Sequence, residues 1–158
     1  MTELHESARL PVATILVVED DHDIRSILYD ILMQAEYQVV TAHTGQAALD
    51  MLEQEVIDLV LLDVMLPDMD GYEVCRHIRQ HTGSATPVVL LTALTQQPNV
   101  TRGLREGADD YVRKPFAPEE LLLRIQGILR RYDGAREAEQ LVVAADRRAS
   151  SGTVIAGG

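Results

Sequence analysis

Residues 59–62 (LVLL) form a short, wholly apolar run that ends abruptly at the carboxylate of Asp63. The run is too short for a helix, and an unbroken apolar stretch of this length is typical of a strand buried on both faces of a sheet. Pro67, Asp70 and Gly71, which favour turns and helix starts, follow the acid. Because open α/β sheets place their sites at the carboxyl ends of parallel strands, Asp63 is a candidate site residue, although a simple turn cap would also explain it.

Further apolar runs alternate with segments of helical periodicity along the chain. The strands are predicted at residues 13–18, 37–42, 59–62, 87–91 and 110–112. Helices with apolar residues at 3.6-residue spacing are predicted to begin near residues 22, 45, 70, 99 and 118, and the last to end at residue 131. This order, a strand and then a helix five times over, predicts an α/β fold of the (βα)5 type. The expected architecture is a flavodoxin-like, doubly wound sheet of five parallel strands with helices on both faces.

The composition restricts the class of protein. The chain of 158 residues is long enough for one domain and a tail, and 46% apolar residues with one Phe and no Trp predict an aliphatic core. Its 14 basic and 25 acidic residues give a net charge of −11, which argues against direct nucleic-acid binding because phosphate contacts need positive surface. The single cysteine, Cys75, excludes an internal disulfide and is typical of a reducing cytoplasm.

The two ends of the chain differ from its middle. Residues 1–12 are predicted to be a disordered polar leader, residues 13–132 a single folded domain, and residues 133–158 a linker or tail. The leader does not resemble a signal peptide, and the longest apolar run is far shorter than a bilayer span of about 18 residues. We therefore expect a cytoplasmic protein that makes no membrane contact.

Charged or hydroxyl residues terminate four of the five predicted strands. Residues 19–21 (EDD) follow the first strand, Asp63 the third, Thr92 the fourth and Lys114 the fifth. Since a parallel sheet brings the carboxyl ends of its strands to one edge, these residues are predicted to form one group. Three consecutive acids repel one another unless a cation or a helix amino terminus relieves the repulsion. A cation site is therefore expected at this edge.

This group contains the side chains that phosphoryl transfer requires. Asp63 can act as a carboxylate nucleophile and form an acyl phosphate. The carboxylates of Glu19, Asp20 and Asp63 can hold a hard divalent ion, Mg²⁺ or Mn²⁺, because such ions prefer oxygen ligands. Lys114 can neutralise one phosphoryl oxygen, and the hydroxyl of Thr92 can donate a hydrogen bond to another.

Several short stretches occur in a fixed order at the strand ends: ILVVEDD at residues 15–21, MLP after Asp63, LTA at residues 91–93 and GADDYVRKPF at residues 107–116. Together they resemble the receiver domain of bacterial two-component response regulators. The resemblance covers about residues 14–131. It implies a signalling domain that catalyses only its own phosphorylation and dephosphorylation, not a classical enzyme.

The resemblance implies a role for each acid of the group. Asp63 is the phosphoacceptor, Asp20 the main metal-binding acid, and Glu19 a second acid that acts mostly through water. The backbone carbonyl of Met65 is a further ligand of Mg²⁺ in this family. The metal is therefore expected to be held by side chains from two strand ends and by the loop that follows the phosphoacceptor.

The remaining roles implied by the resemblance concern switching. Thr92 is the switch hydroxyl, Tyr111 the switch aromatic, and Lys114 the lysine that acts on the phosphoryl group. The Lys114–Pro115 bond is commonly cis in this family, which would direct the ammonium group inward. The phosphoryl donor is a sensor histidine kinase or a phosphotransfer protein. Phosphorylation changes the face made by the fourth helix, the fifth strand and the fifth helix to control an output, here expected to be transcription.

In the winged-helix branch of the family, ion pairs on that face join two phosphorylated receivers. Two of these pairs carry over to this chain: Asp110 with Arg124, and Asp109 with Arg131. The third would join Glu120 to a base at the position of Val100, and Arg102 lies close enough in sequence to substitute. We therefore expect a homodimer on phosphorylation, with one altered contact.

Residues 133–158 have no counterpart in a receiver. Residues 133–140 are polar and linker-like, and residues 141–155 faintly resemble the opening hairpin of a winged-helix output domain. The chain is interpreted as the N-terminal part of a longer transcriptional regulator, which would contact DNA only through an output domain absent from this chain. The alternative is a stand-alone receiver that acts by protein–protein contact or as a phosphorelay shuttle.

Two other classes of protein share part of the pattern. A haloacid-dehalogenase-type phosphatase also uses a strand-end Asp but needs a second Asp two residues later, where this chain has Met65. A flavodoxin-like cofactor binder needs a phosphate-cradling loop after the first strand, where residues 19–21 would repel the phosphate. Asp21 and Asp68 are expected to be a helix cap and a loop acid, not ligands.

The lifetime of the phosphorylated state depends on side chains that flank the phosphoryl group. In the family these positions correspond to Met65 and Leu94. Neither side chain offers a strong hydrogen bond to the water that would hydrolyse the acyl phosphate. A long-lived phosphorylated state, suited to transcriptional output, is therefore expected.

Overall fold

The computed structural model describes residues 12–81, 85–93 and 100–134. The predicted leader up to residue 11, the predicted tail from residue 135, and Leu94 lie outside the described residues. The strands are β1 (Thr14–Val18), β2 (Gln38–Ala42), β3 (Leu59–Asp63), β4 (Val88–Ala93) and β5 (Asp110–Lys114). The helices are α1 (His22–Gln34), α2 (Gly45–Gln54), α3 (Gly71–His81), α4 (Val100–Arg105) and α5, whose described part covers residues 118–134.

The five strands form one sheet in the order β2-β1-β3-β4-β5, and every neighbouring pair is parallel. Parallel neighbours need a crossover between them, and the amphipathic helices supply it. The predicted doubly wound fold is confirmed. In the register, Asp63 lies opposite Leu91, and Thr92 lies opposite Arg113. The polar ends of β3, β4 and β5 therefore lie at the same edge of the sheet.

The sheet separates two apolar clusters, and β3 contributes to both. Val60 and Leu62 pack on the side of α2 and α3, whereas Leu59 and Leu61 pack on the side of α1 and α5. All five residues of β3 are buried, as its unbroken apolar sequence predicts. The largest fully buried side chains are all leucine or isoleucine, so the prediction of an aliphatic core is confirmed.

Element ends are where prediction and structure agree least. Asp21 caps α1 as expected, because its carboxylate accepts two backbone N–H groups of the first turn at 2.9 and 3.0 Å. β4 and β5 extend two residues beyond their predicted ends, since the backbone ladder continues through Thr92 and Arg113 despite their polar side chains. α5 continues through residue 134, beyond the predicted end. Within the described ranges, no helix is long and apolar enough to cross a membrane.

Candidate functional site

Three polar residues are buried at the carboxyl edge of the sheet. Glu19 follows β1, Asp63 ends β3 and Thr92 lies near the end of β4, and their exposed fractions are 1%, 6% and 3%. Lys114, the last residue of β5, joins two of them. Its Nζ contacts Oε1 of Glu19 and lies 3.2 Å from Oδ2 of Asp63. The fold therefore brings together side chains that are separated by up to 95 positions in the sequence.

Two buried carboxylates share one cation in this group. Burial and then the hydrogen bond to Asp63 raise the pKa of Glu19 to about 7, and Lys114 only partly offsets this rise. Burial lowers the pKa of Lys114, but the carboxylates of Glu19 and Asp63 outweigh burial, and the net shift is upward. Lys114 is therefore charged at neutral pH, and a further cation would relieve the repulsion between the two acids.

The hydroxyl of Thr92 is buried and has no hydrogen-bond partner within the described part of the chain. An unpaired buried hydroxyl costs about 1–3 kcal/mol, and native proteins rarely leave one without a reason. Thr92 directly follows Leu91, the residue that lies opposite Asp63 in the β3–β4 ladder. An oxyanion attached to Asp63 would supply the acceptor that this hydroxyl lacks.

The β3–α3 loop, residues 64–70, folds tightly over the end of β3. The N–H of Met65 donates to Oδ1 of Asp63 at 3.1 Å, and the N–H of Gly71 donates to the carbonyl of Val64 at 2.7 Å. A Cβ at Gly71 would lie 2.5 Å from the carbonyl oxygen of Asp63, so only glycine permits this approach. The Met65 side chain is 60% exposed. The loop thus orients the carboxylate while its own surface stays open to solvent.

The predicted metal ligands are only partly assembled. Glu19 and Asp63 lie together, but Asp20 is exposed, and no three His, Cys, Asp or Glu side chains in the described ranges are grouped to hold a metal. The donors at hand, carboxylate and backbone carbonyl oxygens, are those that Mg²⁺ prefers. Two buried acids also outnumber the single cation, Lys114. The group fits a hard divalent ion in donor chemistry and in charge, provided that Asp20 turns toward it.

Comparison with known proteins identifies the family and the fold of the chain. The response regulator receiver domain family matches residues 15–126. The chain belongs to this family. The protein ycf27 of Guillardia theta, named as a transcriptional regulator, is 46% identical over 127 residues, which are 80% of this chain and 49% of that protein. The response regulator MprA of Mycobacterium avium (strain 104) is 45% identical over 129 residues, 82% of this chain and 56% of that protein.

A solved receiver domain protein from Methanospirillum hungatei JF-1, described as CheY-like, shares the fold. Its TM-score is 0.73 at 31% identity, covering 79% of this chain and 99% of that one. The predicted family and the predicted flavodoxin-like architecture are therefore confirmed. Receiver domains are signalling domains of two-component systems that generally bind Mg²⁺ at the phosphorylation site and interact with histidine kinases. This receiver chain spans about half the length of the response regulators it matches.

The two residues predicted to act as the switch have distinct surroundings. Tyr111 lies opposite Leu90 in the β4–β5 ladder, is partly buried, and packs against the apolar cluster on the α2–α3 side. Thr92 is buried one strand away. The Lys114–Pro115 bond is cis, as the family resemblance predicted.

The predicted dimer face of the receiver carries ion pairs within the single chain. Arg124 of α5 pairs with Asp110 at 2.9 Å and with Glu120 at 3.1 Å. Arg102, which was predicted to substitute for a missing base on this face, pairs with Asp70 at 3.1 Å. Pairing between two copies is not tested by these contacts and stays a prediction.

Asp109 accepts hydrogen bonds within the chain that the sequence does not predict. One carboxylate oxygen accepts from Arg79 at 3.0 Å and from the N–H of Val88 at 2.8 Å, and the other accepts from the hydroxyl of Tyr132 at 2.6 Å. Arg79 also donates to the carbonyl of Gly107. These partners lie 21 to 30 positions from Asp109, so no local motif could have indicated them. Asp109 was predicted to pair with Arg131 of a second copy, and both of its carboxylate oxygens already accept hydrogen bonds within the chain.

Proposed function

We propose that this receiver accepts a phosphoryl group on Asp63 from a sensor histidine kinase or a phosphotransfer protein. The supporting observation is one arrangement of three side chains. The carboxylate of Asp63 is buried, the ammonium group of Lys114 lies 3.2 Å from it, and the buried hydroxyl of Thr92 finds no partner in the described part of the chain. Nucleophile, cation and hydrogen-bond donor are the groups that phosphoryl transfer to a carboxylate needs.

In the proposed reaction, a carboxylate oxygen of Asp63 attacks the phosphorus of the donor. The oxygen–phosphorus bond forms as the bond from phosphorus to the leaving group breaks, and the leaving group keeps the electron pair. Lys114 neutralises charge on the transferred oxygens, and the hydroxyl of Thr92 donates to one of them. Since β3, β4 and β5 hold these side chains before the donor arrives, little reorganisation is required.

The proposed metal is Mg²⁺ or Mn²⁺. Its ligands are the carboxylates of Asp20 and Asp63, the backbone carbonyl of Met65, and Glu19 through a water molecule. When bound, the ion supplies positive charge that stabilises the transferring phosphoryl group. The same residues would serve hydrolysis of the acyl phosphate, so the only reactions catalysed are the gain and loss of the receiver's own phosphoryl group.

Phosphorylation is proposed to change the face made by α4, β5 and α5. The switch couples the hydroxyl of Thr92, drawn toward the phosphoryl group, to the ring of Tyr111 in the neighbouring strand. We further propose that two phosphorylated copies pair through this face. Of the predicted ion pairs, Asp110 with Arg124 is favoured, because both side chains lie at the surface and can exchange partners between copies.

The proposed output is transcriptional. Relatives at 45–46% identity are named as transcriptional or response regulators, and about half of their length has no counterpart in this chain. Residues 13–132 are proposed as the receiver and residues 133–158 as the linker toward an output domain, through which alone DNA would be contacted. The free, buried thiol of Cys75 supports a cytoplasmic location for the same assembly.

The test is incubation with Mg²⁺ and acetyl phosphate, followed by intact mass spectrometry. The wild-type chain should gain one phosphoryl group that hydroxylamine removes, and Asp63→Asn should gain none. Asp21→Asn is the matched control, because Asn also caps helices and Asp21 only caps α1. Labelling that persists in Asp63→Asn, or that needs no divalent ion, would contradict the proposal.

A further inference from the structure

The β3–α3 loop is tied to a helix that takes no part in the phosphorylation site. At the far side of the loop, Asp68 accepts hydrogen bonds from two backbone N–H groups at the start of α2. Its Oδ1 lies 2.8 Å from the nitrogen of Gly45, and its Oδ2 lies 2.9 Å from the nitrogen of Gln46. Gly45 lies 23 positions and Gln46 lies 22 positions before Asp68 in the sequence. Asp68 therefore acts as a cap supplied from another part of the chain.

The first N–H groups of α2 are available to bind this carboxylate. The hydroxyl of Thr44, the residue before the helix, accepts only the N–H of Ala47, at 3.0 Å. The first two N–H groups of the helix would otherwise lack a side-chain acceptor, and Asp68 serves both. Although burial acts in the opposite direction, the N–H groups of Gln46 and Gly45 hold the pKa of Asp68 below its usual value. The cap is thus an ionised carboxylate at the positive end of a helix.

A second contact joins the same two segments. Met69, the next residue of the loop, packs directly on Gly45. A Cβ at Gly45 would lie 2.5 Å from Cγ and 2.9 Å from Sδ of Met69. The loop therefore rests on α2 at two adjacent points, one electrostatic and one steric.

We infer that Asp68 is a positioning residue that holds the β3–α3 loop in place for metal binding at the phosphorylation site. The inference rests on the proposed function, in which the carbonyl of Met65 is a metal ligand. Met65 lies three residues before Asp68, and its N–H donates to Asp63, so any displacement of the loop moves both the Met65 carbonyl and the N–H donor that orients the Asp63 carboxylate. The loop's other ties are the Met65–Asp70 bridge, the Gly71–Val64 hydrogen bond and the ion pair of Asp70 with Arg102 of α4, and all of them lie at its ends. The contacts of Asp68 and Met69 join the middle of the loop to the start of α2.

The test measures Mg²⁺ binding without a phosphodonor, by following backbone amide chemical shifts during titration with MgCl₂. In Asp68→Asn one acceptor oxygen becomes an NH₂ group that faces an N–H donor. The Mg²⁺ dissociation constant should rise by up to about two- to fivefold, the change that results if the whole effect of losing an anion at the helix amino terminus is transmitted to metal binding. The rate with acetyl phosphate should fall at low Mg²⁺ and recover at saturating Mg²⁺. Because Mg²⁺ also stabilises the folded state, the variant is first shown by a melting curve without Mg²⁺ to be fully folded at the assay temperature, so that the recovery reports metal binding and not refolding.

Two further variants test whether the contact between the loop and α2 causes the change in Mg²⁺ binding. Gly45→Ala displaces Met69 without changing any charge, and it should also weaken Mg²⁺ binding. Asp50→Asn is the matched control, because Asp50 lies on α2 and accepts from the Gln46 side chain at 2.9 Å but has no recorded contact with the loop. It should bind Mg²⁺ as the wild type does.

The outcomes separate the two proposals. If Asp63 is phosphorylated normally and Asp68→Asn binds Mg²⁺ as tightly as the wild type, the positioning role is wrong and the proposed function is unaffected. Equal weakening in Asp68→Asn and Asp50→Asn would also overturn it, since the loop contact would not be the cause. A wild-type chain that binds no Mg²⁺ and gains no phosphoryl group would instead overturn the proposed function.

Discussion

Tyr132→Phe removes one hydroxyl from the hydrogen-bond network around Asp109, and its effect on stability can be worked out. The hydroxyl of Tyr132, in α5, donates to Asp109 at 2.6 Å. The same carboxylate binds Arg79 of α3 and the N–H of Val88 at the start of β4. The network therefore fixes the described part of α5 to the amino edge of the sheet.

The expected loss at neutral pH is modest but measurable. A hydrogen bond to a charged group contributes about 1.5–3 kcal/mol, and partial exposure of the Tyr132 ring reduces this to about 1–2 kcal/mol by solvent screening. In a domain of this size, about 1 kcal/mol changes the melting temperature by about 3–6 °C. We therefore expect Tyr132→Phe to melt about 5 °C below the wild type.

The contribution of Tyr132 to stability should decrease at high pH. Burial, followed by the hydrogen bond and the charge of Asp109, raises the pKa of Tyr132 from 10.0 to about 12. Since the folded state holds this proton more tightly than the unfolded chain, the contribution of Tyr132 to stability is fully present below about pH 10. It is lost as the pH rises from there to about 12. The stability gap between the wild type and Tyr132→Phe should therefore be constant at lower pH and close over that range.

The assay is urea unfolding of both proteins across this pH range, with Tyr29→Phe as the control. Tyr29 is 40% exposed and has no recorded hydrogen bond within the described part of the chain, so losing its hydroxyl should change little at any pH. Equal losses in the two variants, or a gap for Tyr132→Phe that does not narrow above pH 10, would refute the reasoning.

Three other predictions concern the phosphorylation site. Mg²⁺ should raise the melting temperature, because a ligand that binds the folded state stabilises it. Asp20→Asn should remove most of this rise and Asp21→Asn should remove little of it; equal losses would show that Asp20 is wrongly assigned as the metal ligand. Thr92→Ala should still be phosphorylated, but hydrogen exchange in α4 and β5 should no longer respond; a normal response would exclude the proposed coupling. Replacing Met65 by Asn and Leu94 by Glu should speed the decay of the acyl phosphate, and a tenfold faster rate corresponds to a barrier lower by about 1.4 kcal/mol. An unchanged rate would remove this argument for a long-lived phosphorylated state.

The elements of the fold were predictable because their signals are local. The run at residues 59–62 contains no polar residue, and only a strand covered on both faces can bury it. Asp21 caps α1 through N–H groups two and three positions away, a distance that a sequence pattern spans. Glu19, Asp63 and Lys114 were predicted to meet because parallel strands share an edge, which is a property of topology alone.

Contacts between distant segments were not predictable in the same way. Asp68 was expected to be an ordinary loop acid, but it caps a helix more than twenty positions earlier. Arg79 gave no signal beyond a base on a helix, yet it binds Asp109 and the carbonyl of Gly107. Each partnership depends on the relative placement of two elements, which hydrophobic periodicity leaves open. That the Thr92 hydroxyl has no hydrogen-bond partner among the described residues likewise depends on packing, because it follows only from the positions of the surrounding side chains.

The two edges of the sheet are stabilised in opposite ways, and the difference favours the carboxyl edge as the place where the proposed switch acts. At the amino edge, the carboxylate of Asp109 is fully engaged, and Arg79 holds the turn at Gly107, where φ is +95° and a Cβ would lie 2.8 Å from the Arg79 side chain. At the carboxyl edge, Glu19 and Asp63 share a single lysine, and a buried hydroxyl has no partner among the described residues. An added phosphoryl group and its cation therefore act where charges and hydrogen bonds are incomplete. Because Gly107 anchors the turn after α4, we expect this six-residue helix to move about its fixed carboxyl end while the amino edge keeps its structure.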